Sequence, residues 1–164
     1  MELKLEAVNK TYPNGTRALA DVSLTIGAGM FGLHNFPDDP DWRGWWGDEP
    51  PFRVPVFVLT HGVPRPSIEM AGGTVFHFLS AMPQEALDRA LEAAAGKDVR
   101  VGGGPTVVRD FLKAGLVDQL HVAIAPIVLG RGIRLWDDLR GLESEYNVTA
   151  ETADSGTIHL TFRR

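Results

Sequence analysis

The run Val101-Gly102-Gly103-Gly104-Pro105-Thr106 is the stretch of this chain best suited to chemistry. Three consecutive glycines strip a tight turn of side chains, so the backbone itself can approach a ligand. Thr106 to Ala114 then reads as a helix, with Val107, Val108, Phe111 and Leu112 on its inner side and Gly115 ending it. The start of a helix has unpaired N–H groups and a partial positive charge. A glycine turn leading into a helix is therefore an anion site that fits a pyrophosphate. The spacing is not G-x-G-x-x-G, and no acid stands where that motif places one. The competing reading is a turn that only packs helix on strand.

A second candidate is the strand end Leu59-Thr60-His61, with Arg65 close behind. Ligands of open α/β sheets bind outside the carboxyl ends of strands. A hydroxyl, an imidazole and a guanidinium there can hold a ribose 2′-phosphate, which would select NADPH over NADH; the alternative is an ordinary solvated loop. Gly130-Arg131-Gly132 can close on an anionic substrate, although a simple turn is the favoured reading. His121 and His159 sit at alternating strand positions and read as structural. Asp137-Asp138 reads as a surface turn. No Ser/His/Asp set and no metal-ligand spacing stands out, so no metal is expected.

These residues need elements to hold them. Val56 to Leu59 is a continuous apolar run, as in a strand buried on both faces. Thr74 to Leu79 is a second strand. Pro83 to Ala95 is a helix, with Ala86, Leu87, Ala90, Leu91 and Ala94 at helical spacing and Gly96 to close it. Asp98 to Val101 is a short strand and Gln119 to Val128 a long one. Glu145 to Glu151 and Thr157 to Arg163 form a hairpin around Asp154-Ser155-Gly156. Upstream, Leu3, Leu5 and Ala7 alternate with charged residues. Pro13-Asn14-Gly15 is turn chemistry, and Val22, Leu24 and Ile26 form one face of a further half-buried strand. Residues 34–55 are irregular and proline-rich, yet they hold three of the four tryptophans, which favours a packed loop. Alternation followed by a terminal hairpin implies an α/β domain with a mostly parallel sheet.

The chain has 164 residues, 44% hydrophobic and 23% charged, enough for one globular domain with its own core. It has no cysteine, so neither disulfides nor thiolate metal sites. A net charge of −5 argues against nucleic acid as a partner. No apolar run approaches the roughly 20 residues that span a bilayer, and the charged N-terminus is not a signal peptide. Cytoplasm is the expected location.

The run from Asp98 to Trp136, which contains the glycine turn and Pro126-Ile127-Val128-Leu129-Gly130, resembles the core signature of the RibD C-terminal family. That family comprises dihydrofolate-reductase-like reductases, including the riboflavin-pathway pyrimidine reductase. Pro51 to His61 and Ser155 to Leu160 fit as well, so the resemblance covers about residues 29–164. It implies a mixed, mostly parallel sheet flanked by helices and closed by a C-terminal antiparallel hairpin. It also implies NADPH as hydride donor. Gly102, Gly103, Gly104, Pro105 and Thr106 would lie on the pyrophosphate, with Leu59, Thr60 and His61 near the adenosine ribose and its phosphate. The substrate would be a small heterocycle. Many relatives are homodimers, which exposed apolar strand faces would permit here.

The N-terminus departs from that family. Members open with a strand and loop resembling Met-Ser-Leu-Asp-Gly-Phe, which lines the nicotinamide and substrate pocket, and nothing here matches it. Instead Leu5 to Gly15 and Asp21 to Ile26 resemble the start of an ABC-transporter ATP-binding subunit, with Tyr12 where that family stacks adenine. The phosphate loop that should follow Gly32-Leu33 is absent, since His34-Asn35-Phe36-Pro37 come instead. Reductase relatives also carry Gly-Arg-x-Met-Phe-Gly, whose arginine contacts cofactor phosphate. Here Ala28 takes the arginine's place ahead of Gly29-Met30-Phe31-Gly32. The expected organisation is residues 1–33 as an atypical β-hairpin in place of the usual first strand, and residues 34–164 as the reductase-like part of one globular domain. The expected activity is NADPH-dependent reduction of a pyrimidine or pterin-like heterocycle. The alternatives are a catalytically impaired remnant that binds dinucleotide and, remotely, an ATP-binding module. No residue is assigned as catalytic.

Overall fold

The computed structural model describes residues 23–34, 39–62 and 65–164. The chain divides into two compact units, Met1–Gly104 and Pro105–Arg164.

The first unit holds β1 (Ser23–Gly27), β2 (Pro55–Leu59), β3 (Ile68–Glu69), β4 (Val75–Leu79) and β5 (Val99–Gly103), with the helices α1 (Ala28–Phe31) and α2 (Pro83–Ala94). The strands form one five-stranded sheet in the order β3-β4-β2-β1-β5. β1, β2, β4 and β5 run parallel, and the two-residue β3 pairs antiparallel with β4 at one edge. Together with the terminal hairpin of the second unit, this is the α/β class expected.

The described part of the N-terminal hairpin behaves differently from expectation. Ser23–Gly27 is buried at every position. It pairs parallel with β2 on one edge and with β5 on the other, so neither edge is left for an antiparallel hairpin partner. The alternating pattern misled because Ser23 and Thr25 look like solvent-facing residues. Both are buried, and neither hydroxyl has a hydrogen-bond partner. Leu3 to Ala7, Tyr12 and the Pro13-Asn14-Gly15 turn lie outside the described residues.

Strand alternation sorts the sheet into two faces. Leu24, Ile26, Val56, Val58, Phe76 and Phe78 form one core with Phe31 of α1 and Met70. Each fully buried side chain of this kind contributes about 1.5–3 kcal/mol. Thr25, Phe57 and His77 follow one another across the opposite face. There α2 buries Ala86, Ala90 and Ala94, whose small side chains let the helix approach closely. Leu91, although part of the same apolar set in sequence, is exposed. The left-handed closing position expected at Gly96 is taken first by Ala95 (φ 51).

The tryptophan-bearing loop is packed, as its composition implied. The Trp42 indole N–H donates to the Phe31 carbonyl at 3.0 Å and the Trp45 indole N–H to the Met30 carbonyl at 2.7 Å. Arg43 donates to the Glu69 carbonyl at 2.7 Å, and Arg65 to the Asp39 carbonyl at 2.6 Å. Gly32 (φ +99) lies under the Trp42 indole, where a Cβ would come within 3.0 Å of the ring.

The second unit opens with α3 (Pro105–Lys113), which buries Phe111 and Leu112. β6 (Gln119–Ile124), β7 (Asn147–Thr152) and β8 (Ile158–Arg163) make an antiparallel sheet in the order β6-β8-β7. β7 and β8 are the expected hairpin, with Gly156 (φ 79) in its turn. β6 stops at Ile124 rather than running to Val128; Pro126, which has no N–H, lies just beyond. His121 and His159 meet on one face with ring nitrogens 3.1 Å apart. Asp137 and Asp138 are indeed surface residues, within 3.7 Å of Arg109 and 3.6 Å of Lys113 respectively. Tyr146 donates its hydroxyl to the Val117 carbonyl at 2.7 Å. Burial pushes this phenol above its ordinary value of 10.0, and the Arg164 guanidinium, 4.9 Å from the ring centre, opposes the shift.

Candidate functional site

The parallel strands of the first unit end side by side. Gly27 of β1 pairs with Leu59 of β2, and Ile26 pairs with Gly103 of β5. The glycine turn and the Leu59-Thr60-His61 strand end therefore share one carboxyl edge, with β1 between them. At a strand spacing of 4.7–4.9 Å they stand about 10 Å apart. This is where ligands of open α/β sheets bind.

The three glycines have different jobs. β5 runs on through the first two of them rather than stopping at Val101. The β1–β5 register shifts between Thr25 and Ile26, whose partners are Val101 and Gly103, so Gly102 is the extra residue of a bulge. A Cβ there would stand 2.9 Å from Leu24 Cδ1 and 3.2 Å from Ile26 Cγ2. Gly102 is thus required by its packing against the neighbouring strand β1. Gly103 adopts φ +129, which side-chain-bearing residues rarely reach, and a Cβ there would lie 3.5 Å from Met30 Sδ. The Gly103–Gly104 peptide bond is cis. A Cβ on Gly104 would meet nothing within 4 Å, so its backbone faces open space. Pro105 and Thr106 follow as the opening residues of α3, and Thr106 is exposed.

At the other strand end, the Thr60 backbone N–H donates to the Leu79 carbonyl at 2.9 Å, and the Thr60 hydroxyl accepts from the Gly62 N–H at 3.1 Å. The hydroxyl hydrogen remains able to donate. His61 is exposed. Arg65, grouped with these residues by sequence, works elsewhere. Its guanidinium holds the Asp39 and Trp42 carbonyls and lies over Phe78, so it ties down the tryptophan loop. Ala28, where the family resemblance calls for an arginine, follows β1 directly on the carboxyl edge and brings no charge there.

Sequence reading missed the connection between the tryptophan loop and this edge. Trp42 and Trp45 both bond to carbonyls of α1, the turn that follows β1. The loop's aromatic content was visible, but its partner residues were not. Among the described residues there is no cluster able to hold a metal ion and no helix long and apolar enough to cross a membrane.

A doubly covered, mostly parallel sheet with a glycine turn at its carboxyl edge and a C-terminal antiparallel hairpin defines a reductase-like α/β protein. Residues 14–158 match the RibD C-terminal domain, and the chain belongs to that family. The match begins upstream of residue 29, so β1 falls within it. Among solved structures, the chain is similar to a putative riboflavin biosynthesis protein from Shewanella sp. PV-4, with 22% identity and a TM-score of 0.59. That alignment covers 87% of this chain and 73% of the other. A pyrimidine reductase-like protein from Corynebacterium diphtheriae aligns with 18% identity and a TM-score of 0.50, over 88% of this chain and 75% of the other. Two proteins of Bacillus subtilis (strain 168), both uncharacterized, share shorter stretches. YyaP is 32% identical over 72 residues, which is 44% of this chain and 38% of YyaP. YwjB is 35% identical over 49 residues, which is 30% of this chain and 28% of YwjB. The chain thus spans well under half the length of either relative.

Proposed function

We propose that this chain binds NADPH along the carboxyl edge of its parallel sheet and serves as a reductase of a pyrimidine or pterin-like heterocycle. The observation that carries this reading is the open space beside Gly104, just past the end of β5, with Leu59-Thr60-His61 about 10 Å away on the same edge. That separation suits a pyrophosphate at one end and an adenosine ribose with its 2′-phosphate at the other. Among the described residues no atom lies within 4 Å of where a Cβ on Gly104 would stand, which leaves room for a phosphate there. Thr60 and His61 supply donors for the ribose phosphate, and Pro105 and Thr106 bring a helix start next to the turn.

When bound, the dinucleotide supplies the hydride. The chain's own part is to hold it in place and to present the heterocycle. The small-molecule substrate, the absence of nucleic acid and membrane partners, the cytoplasmic location and the option of a homodimer belong to the same reading.

A second reading, a cofactor-binding remnant without turnover, is favoured by Ala28 in the arginine's place. Calorimetry with NADPH and NADH tests both readings, with a tighter NADPH site expected. Absence of heat with either nucleotide, for a folded protein, would refute both. Steady NADPH oxidation in the presence of an aminopyrimidine or dihydropterin would eliminate the remnant.

A further inference from the structure

Near the glycine turn, the tryptophan loop holds out an indole. Trp45 is 53% exposed, yet it is held on two sides. Its N–H donates to the Met30 carbonyl at 2.7 Å. Its ring stacks on Trp46 with centroids 4.7 Å apart and planes 24° from parallel. Trp46 in turn stacks on the buried Phe76 at 5.6 Å and 20°. Gly44 (φ +91) lets the backbone pass close to Trp46, since a Cβ there would lie 3.0 Å from that ring. The Trp45 indole is therefore anchored through two aromatic layers to the core of the sheet. The loop presents this large aromatic side chain to solvent although its rings are mostly apolar. Its only donor is already used, so its open surface is apolar and π in character and can recognise a flat ring only by stacking.

Its place in the fold matters as much as its exposure. Met30, whose carbonyl holds the indole, has its sulfur 3.5 Å from where a Cβ on Gly103 would stand. One residue thus links the indole to the glycine turn. We propose that Trp45 is the stacking platform for the substrate's planar nitrogen heterocycle. For the claim that this heterocycle belongs to a substrate, the inference rests on the reductase reading above; the platform itself does not depend on it. A rigid π face without a free donor discriminates by flatness and size, so aminopyrimidine and pterin rings should both bind and saturated rings should not.

The test uses the full chain with two probes, pterin and 5,6-diaminouracil, titrated calorimetrically with and without NADPH. Trp45→Ala should weaken at least one probe by roughly 5- to 100-fold, the range for an aromatic that stacks one base. Trp45→Phe should keep most of the affinity, which a merely structural role in the loop does not predict. NADPH affinity should be unchanged in both variants; both should still fold cooperatively, at a lower melting temperature because each loses the bond to the Met30 carbonyl. Equal probe affinity in wild type and Trp45→Ala, or no binding of either probe to the wild type, would overturn the proposal. So would loss of NADPH alone in Trp45→Ala, since the indole would then serve the cofactor. Trp45-dependent probe binding in a protein that fails to bind NADPH would support the platform while removing the reductase reading.

Discussion

Gly102 lies directly against Leu24: a Cβ on the glycine would stand 2.9 Å from the leucine's Cδ1. The turn therefore contains one glycine that the fold requires and one that it does not. Gly102→Ala should lower stability by about 1–3 kcal/mol through overpacking, read as a lower urea midpoint. Gly104→Ala meets no atom within 4 Å and should change stability by less than about 0.5 kcal/mol. It should nonetheless weaken NADPH, because its methyl occupies the space proposed for phosphate. A Gly104→Ala protein with full NADPH affinity would place the cofactor elsewhere. Gly103 is a poorer probe, since its φ of +129 would strain any substitution.

Ala28 opens α1 at the carboxyl edge, where the family resemblance calls for an arginine. Ala28→Arg should tighten NADPH by about tenfold, the scale of one charge-assisted hydrogen bond. The gain should shrink as salt is raised. A titration at two ionic strengths decides the matter, and unchanged affinity at both would remove position 28 from the site.

Thr25 is wholly buried in the central strand, and its hydroxyl has no partner. Thr25→Val keeps the shape and the β-branch while removing the orphaned group. It should raise stability by about 1 kcal/mol or more, visible as a higher melting temperature. A drop instead would mean that the hydroxyl is bonded, for example to an ordered water.

Tyr146 carries a phenol whose pKa burial raises above 10.0. The native state then holds this proton more tightly than the unfolded chain does. Its contribution is complete below pH 10 and is lost as pH rises through the higher native value. Tyr146→Phe loses the hydrogen bond to the Val117 carbonyl and should be less stable at neutral pH. Its stability should fall less steeply than that of wild type in the alkaline limb of a pH series. Parallel alkaline limbs would rule out this linkage.

Much of the fold was legible because its strongest signals are local. The apolar run at Val56 to Leu59, the helix opened by Pro83 and the hairpin around Gly156 follow from periodicity and turn chemistry. β1 did not, because its hydroxyl residues imitate an exposed face and only the presence of α2 above them explains their burial. β3 is two residues long and carries no pattern at all. Of the site, the glycine turn was legible, but the division of labour between Gly102 and Gly104 depends on which side chains of β1 lie beneath. Arg65 looked like a phosphate ligand because the carbonyls it holds come from a loop more than twenty residues earlier.

β1 is also the first described strand in sequence, although it sits inside the sheet. Its neighbour on one side, β2, follows within the same stretch of chain, but its other neighbour, β5, pairs Ser23 with Val99. During synthesis the apolar edge of β1 has to wait until most of the first unit has been made. Pairings so distant in sequence form slowly, and an uncovered strand edge attracts other chains in the meantime. The same strand order that brings Gly27, Leu59 and Gly103 to one edge therefore makes the nascent chain most vulnerable to aggregation just before the glycine turn emerges.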